Sequence, residues 1–304
     1  MVALPPTADA GEIWVDVFGA THVGQVREEN QDDFSVCDLD RGLTGLHPEN
    51  RRYRLGARGA LFLVADGVGG VLGGKAASRL AVETIVRECL EARPGGSSPP
   101  RRAPPVEFLP AAVARAHKEI RRAAIESSGM ANMSTTLTAA VISGPRLTVV
   151  HVGDSRAYLC RGAQIEQLTR DHTLVQQLVE LGQITREEAA QREDSSRLVR
   201  ALGFEEQLKA DALEVGVCRG DAVLLCSDGL YAYVEPLEIR DLLGSEADLT
   251  KVCHELIDRA NQQGGGDNIT VIAARLTGEG LPRASNTTPI QVRWLSERAE
   301  LEAP

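Results

Sequence analysis

The sequence predicts an α+β fold built on antiparallel strands, and three observations carry that reading. First, short runs rich in Val, Ile, Leu and Thr recur at 12–20, 33–38, 59–65, 135–143, 146–152, 155–160, 222–227 and 268–276, bounded by Gly, Asp or Pro. Second, neighbours such as 135–143, 146–152 and 155–160 are joined by only a few residues. A parallel crossover needs many more, so these strands must pair antiparallel, which disfavours a purely parallel doubly wound sheet. Third, helical periodicity is strong in three longer stretches that lie between the strand runs.

In chain order, residues 1–11 read as a loose tail, and the first three strand runs follow. Ala77, Leu80, Ala81, Thr84, Ile85 and Glu88 then mark one face of a helix over 75–91. The segment RPGGSSPPRRAPP, 93–105, cannot pack as helix or strand and is expected to be a flexible loop. Beyond it, Leu109, Ala112, Val113, Ala116, Ile120 and Ala123 define a second helix at 108–127. After the central strands, a short helix is expected at 172–181. Thr185 and Glu188 form a capping box that should start another at 186–192. Leu249, Val252, Cys253, Leu256, Ile257 and Ala260 place a further helix at 248–262. Past about 278 the pattern fades into a C-terminal tail, in which Ile290 to Leu295 are apolar enough to dock on the body.

With 304 residues, 43% of them hydrophobic, the chain can bury a large core. A formal net charge of −10 argues against general nucleic-acid binding, which needs a basic face. The six cysteines show no CxxC and no metal-ligand spacing, and several sit in apolar runs. They read as buried free thiols of a reducing compartment. No signal peptide and no uncharged apolar run of transmembrane length is recognisable, so the expected compartment is the cytoplasm, with no membrane partner.

One stretch poses a chemical question. In LFLVADGVGGVLGGKA an apolar run ends in Asp66 and then in a glycine-rich loop. The loop GGVLGGKA nearly matches the phosphate loop G-x-x-x-x-G-K-[ST], but Ala76 stands where the metal-ligating hydroxyl belongs, and Asp66 aims negative charge at the loop mouth. A nucleotide switch is therefore the weaker reading. The other answer is a metal. Asp154 in VVHVGDS and Asp228 in AVLLCSDG also end apolar strands, and Asp267 in GGGDNITVI precedes one. Any one of them alone reads as a turn or cap residue. Four together, if their strand edges converge, need cations between them, and hard carboxylate oxygens select Mg²⁺ or Mn²⁺. Spacing alone does not establish that the edges converge.

The ordered motifs VREENQDDF, LFLVADGVGG, MSTTLTAAVI, HVGDSRAYL, LTRDHTLV, RLVRALG, LLCSDGLY and GGGDNITVI span about 21–277. In this the chain resembles the metal-dependent, 2C-type serine/threonine protein phosphatases of bacteria. The resemblance implies a four-layer α/β (α+β) sandwich, with two stacked antiparallel sheets flanked by helices on both outer faces. It makes 12–277 the catalytic domain, with a variable flap at about 174–199. Asp66 is then expected to bridge two ions, Mn²⁺ or Mg²⁺, and the Gly67 carbonyl to ligate one of them. Asp228 and Asp267 hold the other, and Asp154 helps to bind a third ion beside Asp228. Asp32 orients water, and Arg27 grips the substrate phosphate with its planar fork. The expected activity is hydrolysis of phosphoserine and phosphothreonine by a metal-activated water, with no covalent intermediate. The expected partners are phosphorylated proteins, including a Hanks-type Ser/Thr kinase and its targets.

Three positions depart from the family pattern: Gln31 replaces a glutamate, Ser134 replaces a glycine, and Val68 replaces a histidine of eukaryotic relatives. The Gln31 change predicts weaker metal affinity. Arg41, Arg51, Arg52, Arg54 and Arg58 are read as a solvated loop rather than a substrate-contacting insert, and His172 as structural. The alternative function is a phosphoprotein-binding pseudophosphatase, which retention of Asp66, Asp228 and Asp267 disfavours.

Overall fold

The computed structural model describes residues 11–46, 51–91, 104–126, 132–192, 194–285 and 287–295. The chain opens with strands β1 (Trp14–His22), β2 (Asp33–Asp38), β3 (Leu43–Thr44), β4 (Arg52–Arg54), β5 (Ala60–Ala65) and β6 (Gly67–Val68). Helices α1 (Val71–Glu91) and α2 (Pro105–Glu126) follow. Next come β7 (Ser134–Thr135), β8 (Leu137–Ser143), β9 (Arg146–Val152), β10 (Arg156–Arg161) and β11 (Gln164–Gln167), then α3 (Leu174–Glu180) and α4 (Arg186–Ala190). The remainder is β12 (Asp211–Gly216), β13 (Ala222–Cys226), α5 (Asp228–Tyr231), α6 (Pro236–Ser245), α7 (Leu249–Gln262), β14 (Ile269–Thr277) and β15 (Val292–Trp294).

Two large antiparallel sheets result, beside the two-stranded β6-β7 ribbon. One runs β11-β10-β13-β14-β1-β4, the other β15-β12-β9-β8-β5-β2-β3. They stack face to face, and helices cover both outer faces, as the sandwich reading requires. The alternation of side chains makes this possible. In β5, Phe62 and Val64 face the core between the sheets, while Leu61, Leu63 and Ala65 face α1 and α2. On the far side Leu224, Val271 and Ala273 face α6 and α7, which bury Ile239, Leu243, Val252, Leu256 and Ala260. Strands buried on both faces read as unbroken apolar runs even though they are antiparallel. Such runs are more often a mark of parallel sheets.

The sequence-expected strands and helices are present within a few residues at each end, and the Thr185–Glu188 capping box forms on α4. The 135–143 run is the one that divides. It breaks at Thr136 into β7, which pairs with β6, and β8, which continues the large sheet. Not anticipated from the sequence were the short strands β3, β4, β6, β11, β12 and β15 and the helices α5 and α6. In the 40–58 segment the expected solvated loop is in part an edge strand. Arg52 in β4 pairs with Asp16 and Arg54 with Glu12, while Arg58 donates to the Leu39, Cys89 and Leu90 carbonyls. Residues 47–50 and most of the 93–105 loop lie outside the described residues. All six cysteines are free and buried. Among the described residues no helix is long and apolar enough to cross a membrane.

Strand register decides where the aspartates go. Asp33 opens β2 opposite Ala65 at the end of β5, and Cys226 at the end of β13 sits opposite Val271 near the start of β14. The start of β14 in turn faces the end of β1, at His22↔Ile269. These pairings bring the ends that carry Asp66, Asp228 and Asp267 to one end of the sandwich.

Candidate active site

At that end lies a cavity of about 580 Å³. Its wall includes Arg27, Asp66, Gly67, Asp154, Asp228 and Asp267, six of the seven site residues expected from sequence, and Gln31 beside them. The seventh, Asp32, sits behind the wall.

Asp66 and Asp154 are held through their backbones by polar contacts from distant parts of the chain. The Asp66 carbonyl accepts from Thr136 N and from Thr135 Oγ1, both at 2.8 Å, and Asp66 N donates to Thr136 Oγ1 at 3.0 Å. Thr136 Oγ1 also meets Ser155 Oγ at 2.6 Å, which ties the Asp66 turn to the one carrying Asp154. Tyr231, on the same short helix as Asp228, donates its hydroxyl to the Asp154 carbonyl at 3.0 Å. The Arg156 guanidinium lies 3.5 Å from the Tyr231 ring centroid and makes a forked bond to Asp171. Asp228 and Asp154 are thereby positioned by one another's neighbours.

Asp32 is fixed differently. Its Oδ2 accepts from Ser227 Oγ at 2.7 Å and from Thr270 Oγ1 at 2.6 Å, while Oδ1 is buried without a hydrogen-bond partner. Asn268 organises the loop that carries Arg27. Its Nδ2 donates to the Val23 and Glu29 carbonyls, and its Oδ1 accepts from Gln31 N at 2.8 Å. Ser227, Thr270, Thr136 and Asn268 were all passed over in the sequence. The signal available was adjacency: Ser227 precedes Asp228 and Asn268 follows Asp267.

The carboxylates repel one another. Loss of hydration, then the charges of Asp32, Asp228, Asp154 and Asp267, push Asp66 well above the usual carboxylate range. Loss of hydration and the Asp228 charge do the same to Asp154. Burial raises Asp32 to about 7 despite its two hydroxyl donors, and burial with the Asp267 charge raises Asp228 to about 6. Such a cluster must take up protons or cations at neutral pH. Among the described residues no three His, Cys, Asp or Glu side chains are already grouped as a ligand set. Asp267 has one oxygen on Arg27, at 2.7 Å. The donor chemistry nevertheless suits a hard divalent cation: every donor is oxygen, and Asp228 Oδ1, like Asp32 Oδ1, is buried without a partner.

The glycine-rich loop has a different job from cradling phosphate. A Cβ on Gly67 would strike the Gly74 carbonyl and come within 2.8 Å of the Gln31 carbonyl oxygen. A Cβ on Gly74 would meet the Gly67 carbonyl at 2.8 Å and the Gln31 side chain. These two glycines let the first turn of α1 press against the backbone beside Asp66. Lys75 is exposed and does not line the cavity, unlike a phosphate-loop lysine.

His172 is a core residue, as expected. Its Nδ1 accepts from Gly153 N at 3.1 Å, so the proton lies on Nε2, which faces Asp211 Oδ2 at 3.3 Å. Asp211 also pairs with Arg200 on the cavity wall.

The family model for protein phosphatase 2C matches residues 51–275. The chain belongs to the protein phosphatase 2C family. The serine/threonine phosphatase stp of Listeria monocytogenes is 33% identical over 253 residues, 83% of this chain and 92% of that protein. The crystal structure of the Mycobacterium tuberculosis serine/threonine phosphatase PstP/Ppp superposes with a TM-score of 0.72 at 32% identity, covering 87% of this chain and 99% of that one. A structure of the PstP catalytic domain in complex with two manganese ions gives 0.70 at 31% identity, with 87% and 99% covered. Protein phosphatase 2C enzymes are metal-dependent, and the fold and the acidic cavity of this chain agree with its membership.

Proposed function

We propose that this chain hydrolyses phosphoserine and phosphothreonine in proteins, using two divalent cations held at the acidic cavity. The observation that carries the reading is the gathering of Arg27, Asp66, Asp154, Asp228 and Asp267 around one cavity. Asp66, the Gly67 carbonyl, Asp228 and Asp267 would hold the two ions, with Asp154 contributing to a third beside Asp228. When bound, Mn²⁺ or Mg²⁺ supplies Lewis-acid charge that neutralises phosphate oxygens and makes water a stronger nucleophile.

The remaining work falls to the protein. Arg27, 56% exposed at the cavity mouth, leaves Asp267 and closes its fork on two phosphate oxygens. Asp32, pinned through Oδ2 by Ser227 and Thr270 just behind the cavity wall, would use its unpartnered Oδ1 to orient a water for in-line attack. The six cysteines are buried elsewhere and none lines the cavity, so no thiol is placed to form a phosphoenzyme. Substrates of this class are products of Ser/Thr protein kinases, which makes a kinase of the Hanks type and its targets the matching partners.

The test is phosphate release from a phosphothreonine peptide with Mn²⁺ and with excess chelator. Release that requires the metal supports the reading. Equal release with chelator, or none with metal, contradicts it.

A further inference from the structure

Resting on that reading, we propose that Phe204 and Val68 form an apolar shelf at the mouth of the cavity. The shelf receives a hydrophobic side chain flanking the phosphorylated Ser or Thr of the substrate. Of the five phenylalanines, only Phe204 is exposed, at 67%. A single exposed apolar residue means little by itself. Here the position and the support carry the argument. Phe204, Leu198, Ala201 and Val68 line the same cavity as Asp66, so the apolar surface is continuous with the acidic centre.

The turn that presents Phe204 is held from both sides. Leu202 exchanges two backbone bonds with Thr135, at 2.8 and 3.1 Å, and Ser134 pairs with Val68 one strand further on. Backbone pairing thus joins the Phe204 turn to the β6 strand that follows Asp66. From the other side, α2 grips the turn: Gly203 N donates to the buried His117 Nδ1 at 3.1 Å, and Arg121 donates to the Glu205 carbonyl at 2.6 Å. Gly203 has φ +88°, and a Cβ there would strike Ile120, so the turn sits hard against α2. A rigid aromatic loses little entropy when it is covered, which suits it to be a contact residue. A phosphopeptide with its phosphate at Arg27 and the aspartates must cross the cavity rim, and this part of the rim is apolar.

The test compares two phosphothreonine peptides, one with leucine and one with glycine on both sides of the phosphothreonine, alongside p-nitrophenyl phosphate, all with Mn²⁺. Wild type should favour the leucine peptide by about tenfold in kcat/KM, the scale of one apolar contact, acting through KM. Phe204→Ala should erase that preference, Phe204→Leu should retain most of it, and both variants should turn over p-nitrophenyl phosphate like wild type. The inference is overturned by a wild type without the preference, or by Phe204→Ala with the preference intact. A Phe204→Ala loss shared equally by all three substrates overturns it too. A wild type that fails on p-nitrophenyl phosphate instead refutes the hydrolase reading, and the shelf with it.

Discussion

Arg27 and Asp267, 240 residues apart in sequence, form an ion pair of 2.7 Å at the mouth of the cavity. One is the expected phosphate-binding arginine and the other an expected metal ligand, so cation and guanidinium compete for a single carboxylate. Removing the competitor should help the metal. Exposed pairs of this kind contribute about 0.2–1 kcal/mol, so Arg27→Ala should tighten Mn²⁺ binding by a factor of about 1.4 to 5 by calorimetric titration. The same variant should raise KM for a phosphopeptide. Weaker Mn²⁺ binding in Arg27→Ala would mean that the pair organises the site rather than competing with the ion.

The crowded carboxylates make a second prediction, about stability without metal. Asp66 feels the charges of Asp32, Asp228, Asp154 and Asp267 together. Asp66→Asn should therefore raise the melting temperature of chelator-treated protein, by about 2–4 °C if 1 kcal/mol of repulsion is relieved in a chain of this size. It should also abolish the stabilisation that Mn²⁺ gives wild type. A variant that melts lower than wild type in chelator would show that repulsion is not what strains the cluster.

Asn268 holds the Arg27 loop through three hydrogen bonds. Asn268→Ala removes all three and should cost about 2–4 kcal/mol of stability, at about 1 kcal/mol net per bond. Because the loop carries Arg27, KM for a phosphopeptide should rise while Mn²⁺ affinity stays near that of wild type. Unchanged KM in a folded variant would separate Asn268 from substrate binding.

His151 is buried between Thr138 and the Arg170 carbonyl, and burial lowers its pKa from 6.5 to about 3. The folded imidazole stays neutral, whereas the unfolded one takes a proton below its ordinary value. Its contribution is therefore fully present above about pH 6.5 and is lost as pH falls toward 3. The raised carboxylates at the site act in the opposite sense, so the contrast must be drawn against a variant. Wild type should lose urea midpoint between pH 7 and pH 5 more steeply than His151→Asn. Parallel pH profiles would remove His151 as a cause.

Much of the fold could be read in advance because most strands announce themselves. LTVVHV and ITVIAARL carry apolar residues on both faces, since each packs the opposite sheet on one side and helices on the other. The missed β12, DALEVG, carries Asp211 and Glu214. These are polar because Asp211 pairs with Arg200 and Glu214 with Arg146 and Arg293, and pairing of that kind is invisible in a single sequence. The missed α6 begins at Pro236 behind the Glu235–Glu238 capping box, but it is short and presents only a narrow apolar face. At the site, strand-edge aspartates suggested a metal, yet spacing could not bring them together; that took the strand register. Ser227, Thr270 and Thr136 looked like ordinary strand and turn residues, because a hydroxyl that positions a carboxylate has no pattern of its own.

The most direct measurement sets Asp228→Asn beside wild type, with Mn²⁺ binding by calorimetry and phosphate release from a phosphothreonine peptide followed on the same samples. The account predicts that the variant folds, loses Mn²⁺ affinity and loses metal-dependent release together. Near-normal release by Asp228→Asn with Mn²⁺ would contradict it, and the acidic cavity would then not be where the phosphate ester is cleaved.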